Sequence, residues 1–442
     1  MTFEELQKIV YDAGIVGAGG AGFPTHRKFS DKVKQIIVNA AECEPLMMVD
    51  HHILEHHLQA LVDTLNVLID TMGADEAIIG IKGKNMHLLD TKIVASLEGT
   101  KVRIKEIPDI YPAGDEVVLT YETTGKIIPE GAIPVMVGVM VINVETVYNI
   151  HCAITNGQPV TQKYVTIGGD VDEDITVKVP VGMKIKALLE ATGHGDLDGK
   201  AVINGGPMMG KHVALDSKIT KTTKGLIVLP EDHPLIQDVK LPIPKMLHMA
   251  KAACCHCSMC SEVCPRHLIG HRIEPNKTIR FASYGSLCDG SDTPMIAFLC
   301  SECRLCQYAC IMNLQPWKVN HELKGIMAKQ GIKSTLHNQP ESVHPMREYK
   351  RFPIKKLIAR LGLTKYNVAA PLTELTTEID HVSIPVGQHI GAPAVPCVSV
   401  GDTVAKGDVI AQPAEGKLGA CIHASISGTV KAIADGCISI EK

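Results

Sequence analysis

The feature that most constrains this chain is a run of cysteines at residues 254–265, which reads CCHCSMCSEVCP. It contains the spacing C-x2-C-x2-C-x3-C-P, and residues 300–310, CSECRLCQYAC, repeat that spacing with isoleucine in place of the proline. Three thiolates on such a loop ligate one iron–sulfur cubane, and the fourth ligates the other cluster in two-cluster proteins. The spacing therefore predicts two [4Fe–4S] clusters, one on Cys254, Cys257, Cys260 and Cys310, the other on Cys300, Cys303, Cys306 and Cys264.

Zinc is the alternative for these cysteines. A structural zinc site takes four ligands, usually as two separated pairs, whereas this chain has two triplets, each with a more distant fourth cysteine. Ten of the fifteen cysteines lie between Cys254 and Cys310. Two of these, Cys255 and Cys288, fall outside the spacing and are predicted not to be ligands, and the five scattered cysteines are predicted to be small apolar residues.

Length and composition limit the class of protein. A chain of 442 residues allows about three domains, and a net charge of −4 gives no signature of nucleic-acid binding. The acidic start MTFEELQKIV does not resemble a secretion signal. The longest apolar run, near Ala132–Ile142, is too short to span a bilayer. We therefore expect a soluble, cytoplasmic protein without a transmembrane segment.

A glycine-rich stretch near the N-terminus, residues 14–29, reads GIVGAGGAGFPTHRKF. Glycines let backbone amides approach a ligand closely, and a loop that opens a helix favours a phosphate. The stretch lacks both the G-x-G-x-x-G and the GK[ST] patterns, so a structural glycine turn remains the alternative. The candidate phosphate-binding residues are Gly17, Gly19, Gly20, Gly22 and Lys28.

Polar residues follow the apolar run that comes next. The segment KQIIVNAAECEP is predicted to be a strand whose end carries Asn39, Glu42 and Glu44. In α/β proteins, ligands bind at the carboxyl edge of the sheet. The later segments YPAGDE (Tyr111–Glu116) and INVETVYNI (Ile142–Ile150) add further polar residues.

These motifs, in this order, resemble the flavin-binding subunit of respiratory complex I, and still more the RnfC-type electron-transfer subunits. The resemblance implies a Rossmann-like FMN-binding domain and NADH as substrate. It implies that FMN is lined by Gly17, Gly19, Gly20, Gly22, Lys28, Asn39, Glu42 and Asn143, that NADH faces Phe23, Glu44 and Glu116, and that Tyr111, Gly114 and Thr146 complete the cofactor-binding set.

The chain departs from the complex I pattern at three positions. That pattern has arginine at Ala18, aspartate at Ala41 and a second asparagine at Ile142. These three departures leave fewer polar side chains on the nicotinamide side of the site. The sequence identifies no catalytic side chain. The chemistry still requires a flavin, because NADH gives two electrons as hydride, a cluster takes one at a time, and a flavin does both.

The rest of the chain adds smaller modules. Alternating apolar residues and short turns at 161–215 resemble an SLBB β-grasp module, and its NGGPMMG segment is predicted to be a tight turn with a methionine pair in the core. Residues 381–442 resemble the barrel-sandwich hybrid of RnfC and of lipoyl or biotinyl carriers. Lys417 lacks the flanking pattern of a carrier lysine, and His389 and His423 are predicted to be structural.

We predict a multidomain α/β and α+β protein. Its parts are 1–155 (FMN and NADH), 156–235 (SLBB β-grasp), 236–335 (α-helical dicluster ferredoxin), 336–380 (linker) and 381–442 (barrel-sandwich hybrid). This order, with the barrel last, resembles the PduS-type cobalamin reductases of propanediol-utilisation bacterial microcompartments, as do CPRHLIGH and TKTTKG.

That resemblance implies an NADH-dependent reductase of cob(III)alamin towards cob(I)alamin inside a microcompartment. The implied partners are a corrinoid adenosyltransferase or another electron acceptor, a shell protein, and a second copy of the chain. The sequence shows no D-x-H-x-x-G motif for a corrinoid lower ligand. The alternative is an RnfC-like subunit that passes electrons to a partner protein without cobalamin.

Overall fold

Residues 1–160 form a parallel sheet with helices on both faces. The computed structural model describes residues 1–284 and 293–442. The elements of this first part are α1 (Phe3–Asp12), β1 (Gln35–Ala40), α2 (Val49–Met72), β2 (Glu76–Lys82), α3 (Thr91–Ser96), β3 (Val102–Ile107), β4 (Ile110–Tyr111), α4 (Glu116–Thr124), β5 (Val139–Asn143) and α5 (Val144–Asn156). The strand order is β3-β2-β1-β5, with all pairs parallel.

Local sequence explains these elements. Thr2 and Glu5 form a capping box that begins α1, and β1 is a run of β-branched residues buried on both faces, as parallel strands are. Strands β1 and β5 are neighbours in register, with Asn39 opposite Asn143. The polar residues that follow each strand therefore lie at one edge of the sheet.

Residues 162–230 form a second sheet around one helix. Its elements are β6 (Gln162–Gly169), β7 (Ile175–Pro180), α6 (Ile185–Ala191), β8 (Lys200–Asn204), β9 (Lys211–Val213) and β10 (Gly225–Pro230). The order β7-β6-β10-β8-β9 is mixed, since β6 and β10 are parallel and the other pairs antiparallel. Helix α6 packs its apolar face on this sheet. The β-grasp assignment stays a prediction.

The cysteine-rich part is helical, as the sequence predicts. Its helices are α7 (Pro234–Lys240), α8 (Ile243–Ala253), α9 (Met259–Glu262), α10 (Pro265–Leu268), α11 (Pro275–Tyr284), α12 (Leu305–Ala309) and α13 (Pro316–Lys329). Helices α8, α11 and α13 share a small apolar core. Cys288, predicted not to be a ligand, lies outside the described residues.

The segment 336–380, which the sequence analysis treats as a linker, is packed against other parts of the molecule. It contains α14 (Arg347–Lys350), β11 (Phe352–Pro353), α15 (Ile354–Arg360) and β12 (Leu372–Thr373). Strand β11 pairs with β4 of the first part, and β12 extends the second sheet beside β7. Apolar side chains such as Leu357 and Tyr366 explain this, because they join one core with residues of the first three parts.

The C-terminal part is a sandwich of two small antiparallel sheets. Its strands are β13 (His381–Pro385), β14 (Val395–Pro396), β15 (Thr403–Val404), β16 (Val409–Gln412), β17 (Ile422–His423), β18 (Gly428–Ala434) and β19 (Cys437–Glu441). The sheets have the orders β13-β19-β18-β15 and β14-β16-β17 and enclose one core. Across the described ranges, no helix is long and apolar enough to cross a bilayer.

Candidate flavin and iron–sulfur sites

The glycine-rich loop is fixed at Ala18 by two side chains. The Ala18 amide donates to Thr146 Oγ1 at 3.0 Å, and Lys163 Nζ donates to the Ala18 carbonyl at 3.3 Å. Lys163 also forms a fully buried ion pair with Glu145. The loop is therefore anchored by one residue of α5, Thr146, and one residue of β6, Lys163. Sequence reasoning missed Lys163 and the role of Glu145, although Glu145 lies within the NVET motif.

The tip of this loop has the features of a phosphate site. Gly19, Gly20 and Ala21 are exposed, and within the described residues no acceptor is paired with their amides. A Cβ atom at Gly19 would meet the Asn143 side chain, so the loop passes close to the edge of the sheet. The loop leads into a 3-10 turn at Thr25–Arg27 and not into an α-helix.

Lys28 lies beside the sheet. Its Nζ donates to Glu116 Oε1 and to the Val141 carbonyl, both at 3.0 Å. The structure therefore brings Lys28, predicted to contact FMN, together with Glu116, predicted to face NADH. Phe23 is half-buried, and its carbonyl accepts from the Gly17 amide at 2.9 Å.

A charged network lies at the ends of β1 and β5. Asn143 Nδ2 donates to the Asp50 carboxylate at 3.2 Å, and Lys224 Nζ pairs with Asp50 at 2.6 Å and with Glu42 at 2.9 Å. Burial opposes charge on Lys224, but the two carboxylates outweigh it and raise the Lys224 pKa. Burial and the charge of Glu42 raise the Asp50 pKa. Asp50 and Lys224 are further residues that the sequence analysis did not identify.

The remaining polar residues of this edge are engaged within the chain. Asn39 Nδ2 donates to the Gly114 carbonyl at 2.9 Å. The Glu44 carboxylate accepts from the amides of Met208 and Met209 at 2.9 and 3.1 Å. Burial raises the pKa of Glu44 to about 7. The NGGPMMG segment is thus clamped by Glu44, with Met208 buried and Met209 exposed, so only one of the two methionines lies in the core.

The two cysteine loops have the same backbone shape. In the first loop His256 and Ser258 have φ of 57° and 60°, and in the second Glu302 and Arg304 have φ of 58° and 63°. These residues follow the first cysteine of each loop by two and four positions. Such left-handed residues are uncommon outside glycine, so their repetition shows that the two loops share one backbone conformation.

Cysteines of the two loops lie near one another, while their division into two ligand sets stays a prediction. Burial, and then the charges of Cys310, Cys254 and Cys257, raise the pKa of Cys260 to about 12. Burial, and then the thiols of Cys300, Cys303, Cys260 and Cys264, raise the Cys306 pKa, so Cys306 also lies near a cysteine of the other predicted set. Thiols gathered this closely fit a bound metal cluster, which holds its ligands as thiolates. The assignment of individual ligands stays a prediction.

The second set of cysteines lies next to the flavin-binding part. The buried Tyr111 donates its hydroxyl to the Cys303 carbonyl at 2.9 Å. Arg304 Nη2 donates to the Gly210 carbonyl at 3.2 Å, beside the segment that Glu44 clamps. Cys264 and Cys306 are buried, whereas Cys257 of the first set is exposed. The second predicted set of cysteines is therefore more buried than the first.

The C-terminal sandwich contacts the glycine-rich loop. The Ile390 amide donates to the Gly22 carbonyl at 3.0 Å. The buried Lys221 Nζ donates to the carbonyls of Gly14 and Cys421, both at 2.7 Å. His389 Nε2 accepts from the Ala420 amide at 3.2 Å. His423 is buried.

Family models match three parts of the chain. A Nuo51 FMN-binding domain matches residues 10–152, a 4Fe-4S dicluster domain residues 253–315, and the RnfC barrel sandwich hybrid domain residues 365–441. The last match begins earlier than the predicted boundary at 381. With the sites described above, these matches define a flavin and iron–sulfur oxidoreductase of the electron-transfer class.

Full-length relatives identify the family. The chain is 39% identical to the cobalamin reductase PduS of Salmonella typhimurium, covering 100% of this chain and 97% of that protein, and 38% identical to that of Citrobacter freundii, covering 99% and 96%. It therefore belongs to the PduS cobalamin reductase family. A subunit of the Na(+)-translocating ferredoxin:NAD(+) oxidoreductase complex of Acetobacterium woodii is 31% identical, covering 61% of this chain and 59% of that protein.

Proposed function

We propose that this protein is an NADH-dependent reductase that delivers electrons through FMN and two [4Fe–4S] clusters to a cobalamin. One NADH and one cob(III)alamin yield NAD+, a proton and cob(I)alamin, since a hydride carries two electrons and a proton. The observation that carries the proposal is the end-to-end identity with proteins named cobalamin reductase. The close approach of the flavin-binding part to the second cysteine loop supports it.

The residues of the chain have separate tasks in this proposal. The exposed amides of Gly19 and Gly20 bind the FMN phosphate, and Lys28 supplies a positive charge at the same edge. When bound, the flavin converts a hydride into single electrons that the clusters accept. The Tyr111 hydroxyl fixes the Cys303 loop at a constant position beside the flavin-binding part, and fixed positions are what electron transfer between centres requires.

The cysteine sets define an order of transfer. The inner set is Cys264, Cys300, Cys303 and Cys306. The outer set is Cys254, Cys257, Cys260 and Cys310. Electrons enter at the inner set, which contacts Tyr111, and leave from the outer set, where Cys257 is exposed.

The test is an anaerobic assay with flavin- and cluster-loaded protein, NADH and hydroxocobalamin. We expect the absorbance of NADH to fall while that of reduced cobalamin rises. One molecule of cob(I)alamin should form for each NADH oxidised. Protein that oxidises NADH with ferricyanide but leaves hydroxocobalamin unreduced would overturn the cobalamin assignment while leaving the flavin assignment standing.

A second candidate is an electron-transfer subunit that reduces a partner protein without cobalamin. The 31% identity with a subunit of a ferredoxin:NAD(+) oxidoreductase complex favours it. This second function requires that reduced ferredoxin serves as the electron donor in place of NADH. It also requires that the protein does not reduce free hydroxocobalamin.

The proposed setting is the cytoplasm, inside a propanediol-utilisation microcompartment. An adenosyltransferase consumes the reduced corrinoid there, and a shell protein or a second copy of the chain is a further partner. Co-purification with intact microcompartments tests the setting, and recovery of the chain only in the soluble fraction would contradict it.

A further inference from the structure

A group of three metal-ligating side chains lies on α2, away from the flavin and cysteine sites. His52, Glu55 and His56 each offer one ligand atom, and these atoms all lie within 4.8 Å of one another. Glu55 Oε2 is 4.0 Å from His52 Nδ1 and 3.9 Å from His56 Nε2. Positions i, i+3 and i+4 share one helix face, so the spacing follows from the helix itself.

The tautomer of His52 is set by a contact outside the group. His52 Nε2 lies 2.8 Å from the Ala370 carbonyl, which can only accept, so this nitrogen carries the proton and Nδ1 presents its lone pair. Nδ1 is buried and has no hydrogen-bond partner. A ligating histidine whose other nitrogen donates to a carbonyl is the usual second-shell arrangement at metal sites.

The neighbouring ligands reach the same ion after one ring turns. The His52 and His56 rings are stacked in parallel, with centroids 6.2 Å apart, so their in-plane lone pairs converge on one ion once the half-exposed His56 ring rotates. Ligands of a tetrahedral zinc ion lie about 3.4 Å apart when each is about 2.1 Å from the metal. The distances from Glu55 Oε2 to the two histidines, 4.0 and 3.9 Å, exceed this separation by roughly 0.5 Å. Glu55 and His56 are about half exposed, so their side chains are free to rotate towards the ion.

We propose that His52 Nδ1, Glu55 Oε2 and His56 Nε2 bind a divalent transition-metal ion of the Zn2+ class, with water in the remaining position. The two imidazole ligands favour such ions over Mg2+ and Ca2+, and zinc also accepts a carboxylate oxygen as a ligand. The Ala370 carbonyl also accepts from Thr176 Oγ1 of β7 at 3.2 Å. The ion therefore strengthens the attachment of α2 to the segment that leads into β12.

The test uses full-length, flavin- and cluster-loaded protein, so that the eight predicted cluster cysteines are occupied by iron. After treatment with a chelator, equilibrium dialysis at micromolar free Zn2+ followed by elemental analysis should give one zinc per chain. Removing a ligand in His56→Ala or weakening one in Glu55→Gln should lower the affinity at least about tenfold. The matched control is His212→Ala, which removes another exposed histidine and should change nothing.

Two further measurements separate this site from zinc bound elsewhere. X-ray absorption should show only nitrogen and oxygen ligands, because a sulfur shell would place the zinc on cysteine. Zinc should also raise the thermal midpoint of the wild-type protein but not that of Glu55→Gln, since a ligand that binds only the folded state stabilises it. Equal zinc binding by wild-type protein, Glu55→Gln and His56→Ala, or none by wild-type protein, would overturn the proposal.

Discussion

The ion pair beneath the glycine-rich loop leads to a prediction whose size follows from the structure. Lys163 and Glu145 are only 1% and 2% exposed, and Lys163 also holds the Ala18 carbonyl of the loop. Burial lowers the Lys163 pKa and raises the Glu145 pKa, so desolvation outweighs the attraction between the charges. Lys163→Met keeps most of the side-chain volume and leaves the Glu145 carboxylate buried without its partner.

The expected cost is that of breaking a buried pair. Removing one partner of such a pair costs about 3–5 kcal/mol of unfolding free energy, whereas an exposed pair contributes about 0–1 kcal/mol. At roughly 2–4 °C per kcal/mol for a unit of 150–250 residues, Lys163→Met should lower the thermal midpoint of the flavin-binding part by roughly 6–20 °C. The dissociation constant of FMN should rise about tenfold, which matches the loss of one hydrogen bond from a charged donor.

The assay is differential scanning calorimetry of the flavin-free protein, with FMN affinity measured by fluorescence quenching. The double variant Lys163→Met/Glu145→Gln should recover part of the loss, because neither charge then remains buried. Arg103→Met is the control, since the pair of Arg103 with Glu76 is partly exposed. The reasoning is refuted if Lys163→Met moves the midpoint no further than Arg103→Met does.

Three other predictions test the remaining parts of the account. Cys257→Ala should abolish the EPR signal of one cluster and spare flavin bleaching and the other cluster, whereas Cys397→Ala in the C-terminal sandwich should leave both; survival of both clusters in Cys257→Ala would refute the ligand assignment. Tyr111→Phe should cost about 1 kcal/mol of unfolding free energy, because it removes one hydrogen bond to the partly buried Cys303 carbonyl, and should alter only the EPR signal of the cluster on the Cys303 loop; an unchanged signal would refute that contact. Burial lowers the Lys221 pKa to about 7 from 10.5, so its contribution to stability is complete above pH 10.5 and is lost as pH falls through 7. Midpoints measured by calorimetry should therefore rise between pH 7 and 10.5 in the wild-type protein and vary less in Lys221→Met; parallel curves would contradict this.

Features encoded by short segments could be predicted from the sequence. The two cysteine loops repeat one spacing, and the structure repeats one backbone shape at residues 256 and 258 and at 302 and 304. The strand that ends at Ala40 has an apolar centre, Ile36–Val38, so the polar residues that follow this centre lie at the edge of the sheet. The helices α11 and α13 lie within residues 236–335, for which the sequence predicts a helical part.

Features that depend on distant contacts could not be predicted. Lys163, Lys224 and Asp50 are charged residues in the interior, and nothing in the local pattern distinguishes them from solvated charges. The segment 336–380 lacks strong periodicity, yet its apolar side chains complete a core shared with three other parts. The contacts of Glu44 could not be predicted for the same reason. Its carboxylate accepts hydrogen bonds from the Met208 and Met209 amides, which lie more than 160 positions away in the sequence.

The central claim is that one chain couples a flavin to two clusters through the contact at Tyr111. Anaerobic titration of the loaded protein with NADH, followed by absorbance and EPR and by iron and flavin analysis, tests it most directly. We predict one FMN and about eight irons per chain, bleaching of the flavin by NADH, and EPR signals from both reduced clusters. A protein with about four irons or fewer, or one in which NADH bleaches the flavin while both clusters stay oxidised until dithionite is added, would contradict the account.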